Sequence, residues 1–600
     1  MNGQPARRSR SALVRALPTW GTSLVAAVVV LGPALLPGFV LVGDMVFVPK
    51  LPLNASLLGI GAAAPRAVPS DLVVALAGSV LPGQLVQKLV LLALLVAAGA
   101  GAARVVPLRP LAAAAVALAY VWNPFVAERL AIGQWAVLAG YAALPWVVRG
   151  CWRLGLQPTS SGRAASAAIV LGSLGGAPAW LLVVLGAVPA YVTGAVSRTG
   201  AAEEAGSGGR ARALGRRAVL LALLLVATAL PWAVPAVARP GGTVGDPLGA
   251  TVFTPHADTA FGVLFSLLTG GGVWNGQVVP PGRLTVVGSL MAAALLLISL
   301  AGLVLGLRRR TPGAAAVTVV GGLGLLVATA TAVPLVADAM AGLPGGGLLR
   351  DGSRQVAPWV LATSVGLGLA IEALASTVAR PGRVLVVLVG LLPVAALPAA
   401  GWGVSGRLVP TQYPADYAAV ARMVDAADGA VAVLPFEAYR RFPWNGHRSS
   451  LQPLPRFLSA VTVSSSDLVV RQPSGAVVRV PGEDRLATEV AAALRSGSPT
   501  SRLGQLGVRW VVVDVDGAAP PAGTVERYAG SRLRLYEVPV VDPVAAADPA
   551  RRWQPPWLVV LWGDLLAVVV VVVLVAGDWG RATGGAPKRP DSRCNADTVQ

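Results

Sequence analysis

The sequence predicts a polytopic α-helical membrane protein of about twelve transmembrane helices with an extracytoplasmic α/β domain. Runs of roughly twenty apolar residues, the length that crosses a bilayer, recur along the chain, and arginine clusters stand at alternate junctions. Composition agrees: of 600 residues, 55% are hydrophobic and only 13% charged, and the mean hydropathy is +0.68. A soluble domain with a polar shell does not reach such values.

Arg7, Arg8, Arg10 and Arg15 precede the first apolar run, whereas the segment after it carries little positive charge. The N-terminus is therefore expected in the cytoplasm and Asp44 outside. The first run is too long and too proline-bounded for a cleaved signal peptide and reads as a retained signal anchor. Charge alternation then places spans near 20–42, 84–103, 110–122, 134–148, 164–176, 178–196, 218–238, 285–307, 313–335, 357–379, 384–402 and 556–576. Cytoplasmic junctions carry Arg104 and Arg109, Arg149 to Arg163, Arg198 to Arg217, Arg308 to Arg310, and Arg380 and Arg383. The stretch 199–217 reads as a flexible cytoplasmic loop, and the tail 577–600 is also expected inside.

Residues 1–402 thus form a multi-span membrane domain, with long outer loops at 43–83, 239–284 and 336–356. Residues 403–555 are long enough for a separate outer domain. Within it, 417–424 is helix-like, 430–435 strand-like, 506–514 a buried strand and 533–538 an alternating one. The last span, 556–576, returns the chain to the membrane.

The net charge of +20 does not point to nucleic acid, because the arginines sit at helix ends and form no basic stripe interleaved with aromatics. Cys151 and Cys594 both fall near cytoplasmic ends, so neither a disulfide framework nor a cysteine metal site is expected.

Candidate functional residues lie in the outer loops. Asp44, beside Met45, Phe47 and Val48, is a carboxylate at the membrane boundary, where partial desolvation and a metal or hydroxyl partner would tune its basicity. On spacing alone the favoured reading is an interfacial helix-end acid. In the segment Asn123 to Trp135, Pro124 stops the preceding helix, and Glu128 and Arg129 bring charge to the outer interface. Arg129 can donate to a lipid phosphate and Glu128 can accept sugar hydroxyls, or the two belong to an interfacial turn anchored by Trp122 and Trp135.

The first outer loop with Asp44, the adjoining segment Asn54 to Asp71, and Asn123 to Trp135 together resemble the GT-C class of membrane glycosyltransferases. In overall plan the chain is most similar to large envelope arabinofuranosyltransferases. That resemblance, diffuse over residues 20–400, implies transfer of a sugar from a polyprenyl-phosphate donor to an envelope glycan or glycolipid on the outer side. It also implies that Asp44 is the base activating the acceptor hydroxyl. A second acid common beside that base is replaced by Met45, which leaves the need for a divalent metal open.

Two further clusters complete the expectation. His256 and Asp258 form an isolated H-x-D pair in the outer loop 239–284, either lining the donor pocket or holding a metal. Arg350 and Arg354 flank Asp351 just before a span and suit phosphate binding. In the outer domain, Glu437, Arg440, Arg441, Trp444, Asn445 and His447 form a polar, aromatic segment suited to carbohydrate or to surface packing. The rival to an enzyme is a non-catalytic envelope-assembly protein or a lipid-linked glycan transporter. Scarcity of charge within the spans argues against ion-coupled transport.

Overall fold

The computed structural model describes residues 4–577 apart from 157–161, 200–206, 241–246, 344, 378–382 and 472–475. The tail expected in the cytoplasm lies outside the described residues. Among the described residues, nine helices are long and apolar enough to cross a membrane. A tenth span exists if the bent pair Val384–Ala396 and Pro398–Gly406, turned by 66°, crosses once. The two remaining expected spans are helices of a different character: Val137–Leu156 carries Arg149 and Arg153 in its second half, and Arg163–Ser173 has only 11 residues.

One expectation is corrected. The loop expected at 199–217 is already helical from Ser207, where the helix Ser207–Ala238 begins. Ala211, Ala213 and Leu214 are strong helix formers, so the span extends backward through its arginines.

Small residues let the helices approach. Lipid supplies no hydrophobic drive between spans, so close backbone packing carries the association. A Cβ on Gly302 would stand 1.9 Å from the Gly366 carbonyl oxygen, which fixes Val286–Arg308 against Ala357–Thr377. Gly155 and Gly194 play the same part between Val137–Leu156 and Ala177–Thr199, at 2.3 Å from the Tyr191 oxygen and 2.2 Å from the Trp152 oxygen. Asn123 ends one helix and starts the next: its side chain accepts from the Val126 amide at 3.0 Å and donates to the Tyr120 carbonyl at 2.9 Å.

The sheet portion is built on a five-stranded mixed sheet. With β1 Ala430–Leu434, β4 Thr462–Val463, β7 Val508–Asp514, β8 Val525–Ala529 and β9 Leu533–Glu537, the order is β4-β1-β7-β9-β8. Strand β1 is parallel to β4 and β7, and β9 is antiparallel to β7 and β8. Both faces are covered, so β1 and β7 read as continuous apolar runs. On one face Val431, Val433, Val512 and Leu535 pack against Tyr417 and Val420 of the helix Ala415–Met423. On the other, Ala432, Val511 and Val513 meet Leu486, Val490 and Leu503 of two later helices.

A separate hairpin, β2 Tyr439–Arg441 with β3 Ser449–Leu451, joins this portion to the membrane helices. Gly43 donates to the Ser449 carbonyl at 2.7 Å and accepts from the Leu451 amide at 2.9 Å, so the loop after the first helix adds to the hairpin edge. Asn445, buried in the hairpin turn, donates to the Leu41 carbonyl at 3.0 Å.

Candidate active site

Asp44 is held by three close approaches. Its own amide donates to the Ile132 carbonyl at 2.9 Å. Gly43, in the left-handed region at φ 51°, lies so close that a Cβ would stand 2.0 Å from the Ile132 oxygen, and a Cβ on Gly133 would meet the Asp44 nitrogen at 2.7 Å. Only glycine permits both the backbone angle and the contact. Phe47 packs on Trp135 with ring centres 5.2 Å apart. The first loop is thus clamped between the segment after Pro124–Ala131 and the β2–β3 hairpin.

From that hairpin Tyr439 donates its phenol to Asp44 Oδ1. Burial, and then the Asp44 charge, raise the Tyr439 phenol well above its ordinary value, so it stays protonated and remains a donor. Arg66 and Arg350 act on the same phenol, and Arg354 lies within electrostatic range of Asp44. The Asp44–Tyr439 pair therefore lies within electrostatic range of a wall of arginines, Arg66, Arg350 and Arg354.

Behind that wall stand two buried ionic groups built on neighbouring residues of one short helix. Arg129, 0% exposed, donates to Gln134 at 2.6 Å, to Asp351 at 3.0 Å and to Ser353. Arg354 meets the same Asp351 carboxylate at 3.0 Å. Burial would raise Asp351, but Arg129 and Arg354 outweigh it and hold the carboxyl below its usual range. Glu128 points to the other group, with Arg283 at 3.9 Å and Asp258 within hydrogen-bond reach. Asp258 accepts from Arg283 Nε at 2.8 Å and from the Gly272 amide at 2.9 Å. Its burial is overcome by Arg283, Glu128 and Gly272, which bring it down to about 2.

These positions separate the expected site residues. Asp44 and Arg354 lie within electrostatic range of each other, and Arg350 acts on the Tyr439 phenol that donates to Asp44. Arg129 and Asp351 form the support on which Arg354 rests, while Glu128 and Asp258 are turned to Arg283. His256 Nδ1 is 2.8 Å from the Thr254 carbonyl. No group of three or more His, Cys, Asp or Glu residues is placed to hold a metal among the described residues. In the hairpin segment, Trp444 stacks on Phe442 with centres 5.0 Å apart and Arg440 pairs with Asp514 at 3.1 Å.

Tyr439, Arg66 and Arg239 were not singled out by sequence reasoning. Tyr439 lies inside the polar segment 437–447, and its place between Glu437 and Arg440 was the available signal. Nothing local marks Arg66 or Arg239, which come from loops far apart in the chain.

A groove with a cavity volume of about 60 Å³ opens between the membrane helices, with Ala119, Leu295, Leu296 and Leu367 among its apolar walls and Asn123 and Arg283 among its polar ones.

No protein-family model matches this sequence, and no curated protein matches it. Solved structures do. The arabinofuranosyltransferase AftD from Mycobacteria superposes with a TM-score of 0.53 at 18% identity, over 89% of this chain and 40% of that one. A mutant form of the same enzyme gives 0.52 at 15% identity, over 89% and 42%. The oligosaccharyltransferase AglB from Archaeoglobus fulgidus is more distant, with a TM-score of 0.33 at 12% identity over 83% and 65%. This chain spans less than half the length of AftD. The protein is an integral membrane protein with the GT-C membrane fold that AftD displays.

Proposed function

We propose that the protein is a glycosyltransferase that moves a sugar from a polyprenyl-phosphate donor to a hydroxyl of a cell-envelope glycan or glycolipid. The observation that supports this reading is the oriented carboxylate of Asp44, within electrostatic range of Arg354 and bonded to a Tyr439 phenol on which Arg350 acts, at the end of an apolar helical bundle. Tyr439 occupies Oδ1 and orients the group, which leaves Oδ2 to take the acceptor proton. As that proton moves, the acceptor oxygen bonds to the anomeric carbon and the bond from that carbon to the phosphate oxygen breaks. The electron pair leaves on the phosphate, where arginines stabilise the developing charge. The apolar groove offers surface for the polyprenyl chain. In this reading Arg129, Asp351, Glu128 and Asp258 position the donor-binding loop and are not themselves in contact with substrate. His256 has no assigned step, and none runs through a metal.

Purified protein incubated with polyprenyl-phosphate sugars and envelope glycan acceptors is expected to form a glycosidic product and release polyprenyl phosphate, read by mass spectrometry. Movement of the lipid-linked sugar across proteoliposomes with no product from any donor would overturn the enzyme in favour of a transporter.

The reaction belongs outside the cell, with residues 1–402 as the membrane domain, 403–555 extracytoplasmic, 556–576 the last span, and both termini cytoplasmic. The arginine distribution supports this orientation. A cysteine introduced at His447, which is exposed, is expected to react with an impermeant maleimide in intact cells. Labelling only after permeabilisation would reverse the orientation and move Asp44 to the cytoplasmic side.

A further inference from the structure

We propose that Arg66, Arg239 and Arg350 form a phosphate-binding pocket next to Asp44, and that Glu483 is the internal anion occupying it until a lipid phosphate displaces it. The proposal rests on the donor reading above and adds two arginines and a competitor to it.

Four distant segments converge here. Arg66 comes from the loop after the first helix, Arg239 from the end of Ser207–Ala238, Arg350 from the loop before Ala357–Thr377, and Glu483 from the sheet domain just before Arg485–Leu494. The contacts to Glu483 are 3.3 Å from Arg66, 3.8 Å from Arg350 and 4.0 Å from Arg239. A strong charge-assisted N–H···O bond is about 2.7–2.9 Å, so even the nearest guanidinium, at 3.3 Å, makes a long one. A planar carboxylate with two oxygens does not close on three guanidiniums at once.

The cations remain under-served. The Arg239 side chain is only 10% exposed, and its Nη1 is buried without a hydrogen-bond partner. Arg350 is brought down to about 10, first by burial and then by repulsion from Arg66 and Arg354. Its guanidinium lies 4.9 Å from the centre of the Phe253 ring, which holds it in place. Three guanidiniums face one carboxylate, so positive charge remains in excess. A phosphate offers tetrahedral oxygens and more acceptor directions, which suits three forks arriving from different sides. Glu483 is loosely seated by comparison. Burial raises its carboxyl, but Arg66, Arg350 and Arg239 more than offset this, so it stays ionised and competes with an incoming anion.

The test is direct binding to full-length protein in nanodiscs, with three probes: a polyprenyl monophosphate, the corresponding polyprenol, and inorganic phosphate. Glu483→Gln keeps the shape of the side chain and removes its charge. It is expected to tighten polyprenyl monophosphate binding on the order of tenfold, because an internal competitor is lost. Glu483→Ala should act in the same direction, polyprenol binding should not change, and adding Arg350→Ala to Glu483→Gln should cancel the gain. Tightening for inorganic phosphate as well supports recognition of the phosphate group itself, and tightening for the lipid alone supports a headgroup read together with its chain. If wild-type protein binds the lipid phosphate and both Glu483 variants bind it equally or less tightly, Glu483 is a structural ion pair and the proposal falls while the donor reading stands. If neither wild type nor variants bind it, the donor reading falls too.

Discussion

Asp44→Asn should lower the turnover of sugar transfer on the order of 10²–10⁴-fold, the usual loss for a missing general base. The substitution isolates the chemistry. An amide has the size of the carboxylate and its oxygen still accepts from Tyr439, while the backbone contacts of Gly43 and Asp44 with Ser449, Leu451 and Ile132 do not involve the side chain. Folding, insertion and donor binding are therefore expected to persist. What disappears is the oxygen able to take the acceptor proton. A transfer assay at saturating donor resolves such a loss in kcat, and wild-type turnover in Asp44→Asn would remove Asp44 as the base.

Arg129→Ala is expected to act on stability rather than on a single step. The guanidinium is fully enclosed and holds Gln134, Asp351 and Ser353 together. Its removal leaves Asp351 with Arg354 as its one cation, beside the Ser353 hydroxyl, and strips two other polar groups of their donor. Breaking a buried charge pair from one side costs about 3–5 kcal/mol, mostly for the charge left behind. The melting temperature of detergent-solubilised protein, followed by tryptophan fluorescence, should fall markedly. Donor binding should weaken with it, since Arg354 rests on the same carboxylate. An unchanged melting temperature with weakened donor binding would instead make Arg129 a direct phosphate ligand.

The division between what was legible in the chain and what was not follows the range of the forces involved. The spans were legible because each must satisfy its backbone internally and present apolar side chains to lipid, requirements written over some twenty consecutive residues. The central strands of the sheet domain were legible for a related reason: β1 and β7 are covered on both faces and carry unbroken apolar runs. The extent of the helix from Ser207 was missed because arginine and glycine resemble a loop in composition while alanine and leucine carry the helix onward. The hairpin was read as a surface for sugar or packing, whereas its edge hydrogen bonds complete the loop that carries Asp44.

The sequence alone determined a multi-span membrane protein with a soluble α/β portion, and it brought attention to Asp44, Arg350 and Arg354. Only the tertiary structure decided which charges stand free and which are spent. Glu128 and Arg129 are adjacent in the chain, yet consecutive helical positions face different directions, and each faces an opposite charge more than a hundred positions away. Arg66, Arg239, Arg350 and Glu483 meet for the converse reason. An electrostatic site needs charges a few ångströms apart in space, and nothing in their spacing along the chain records that proximity.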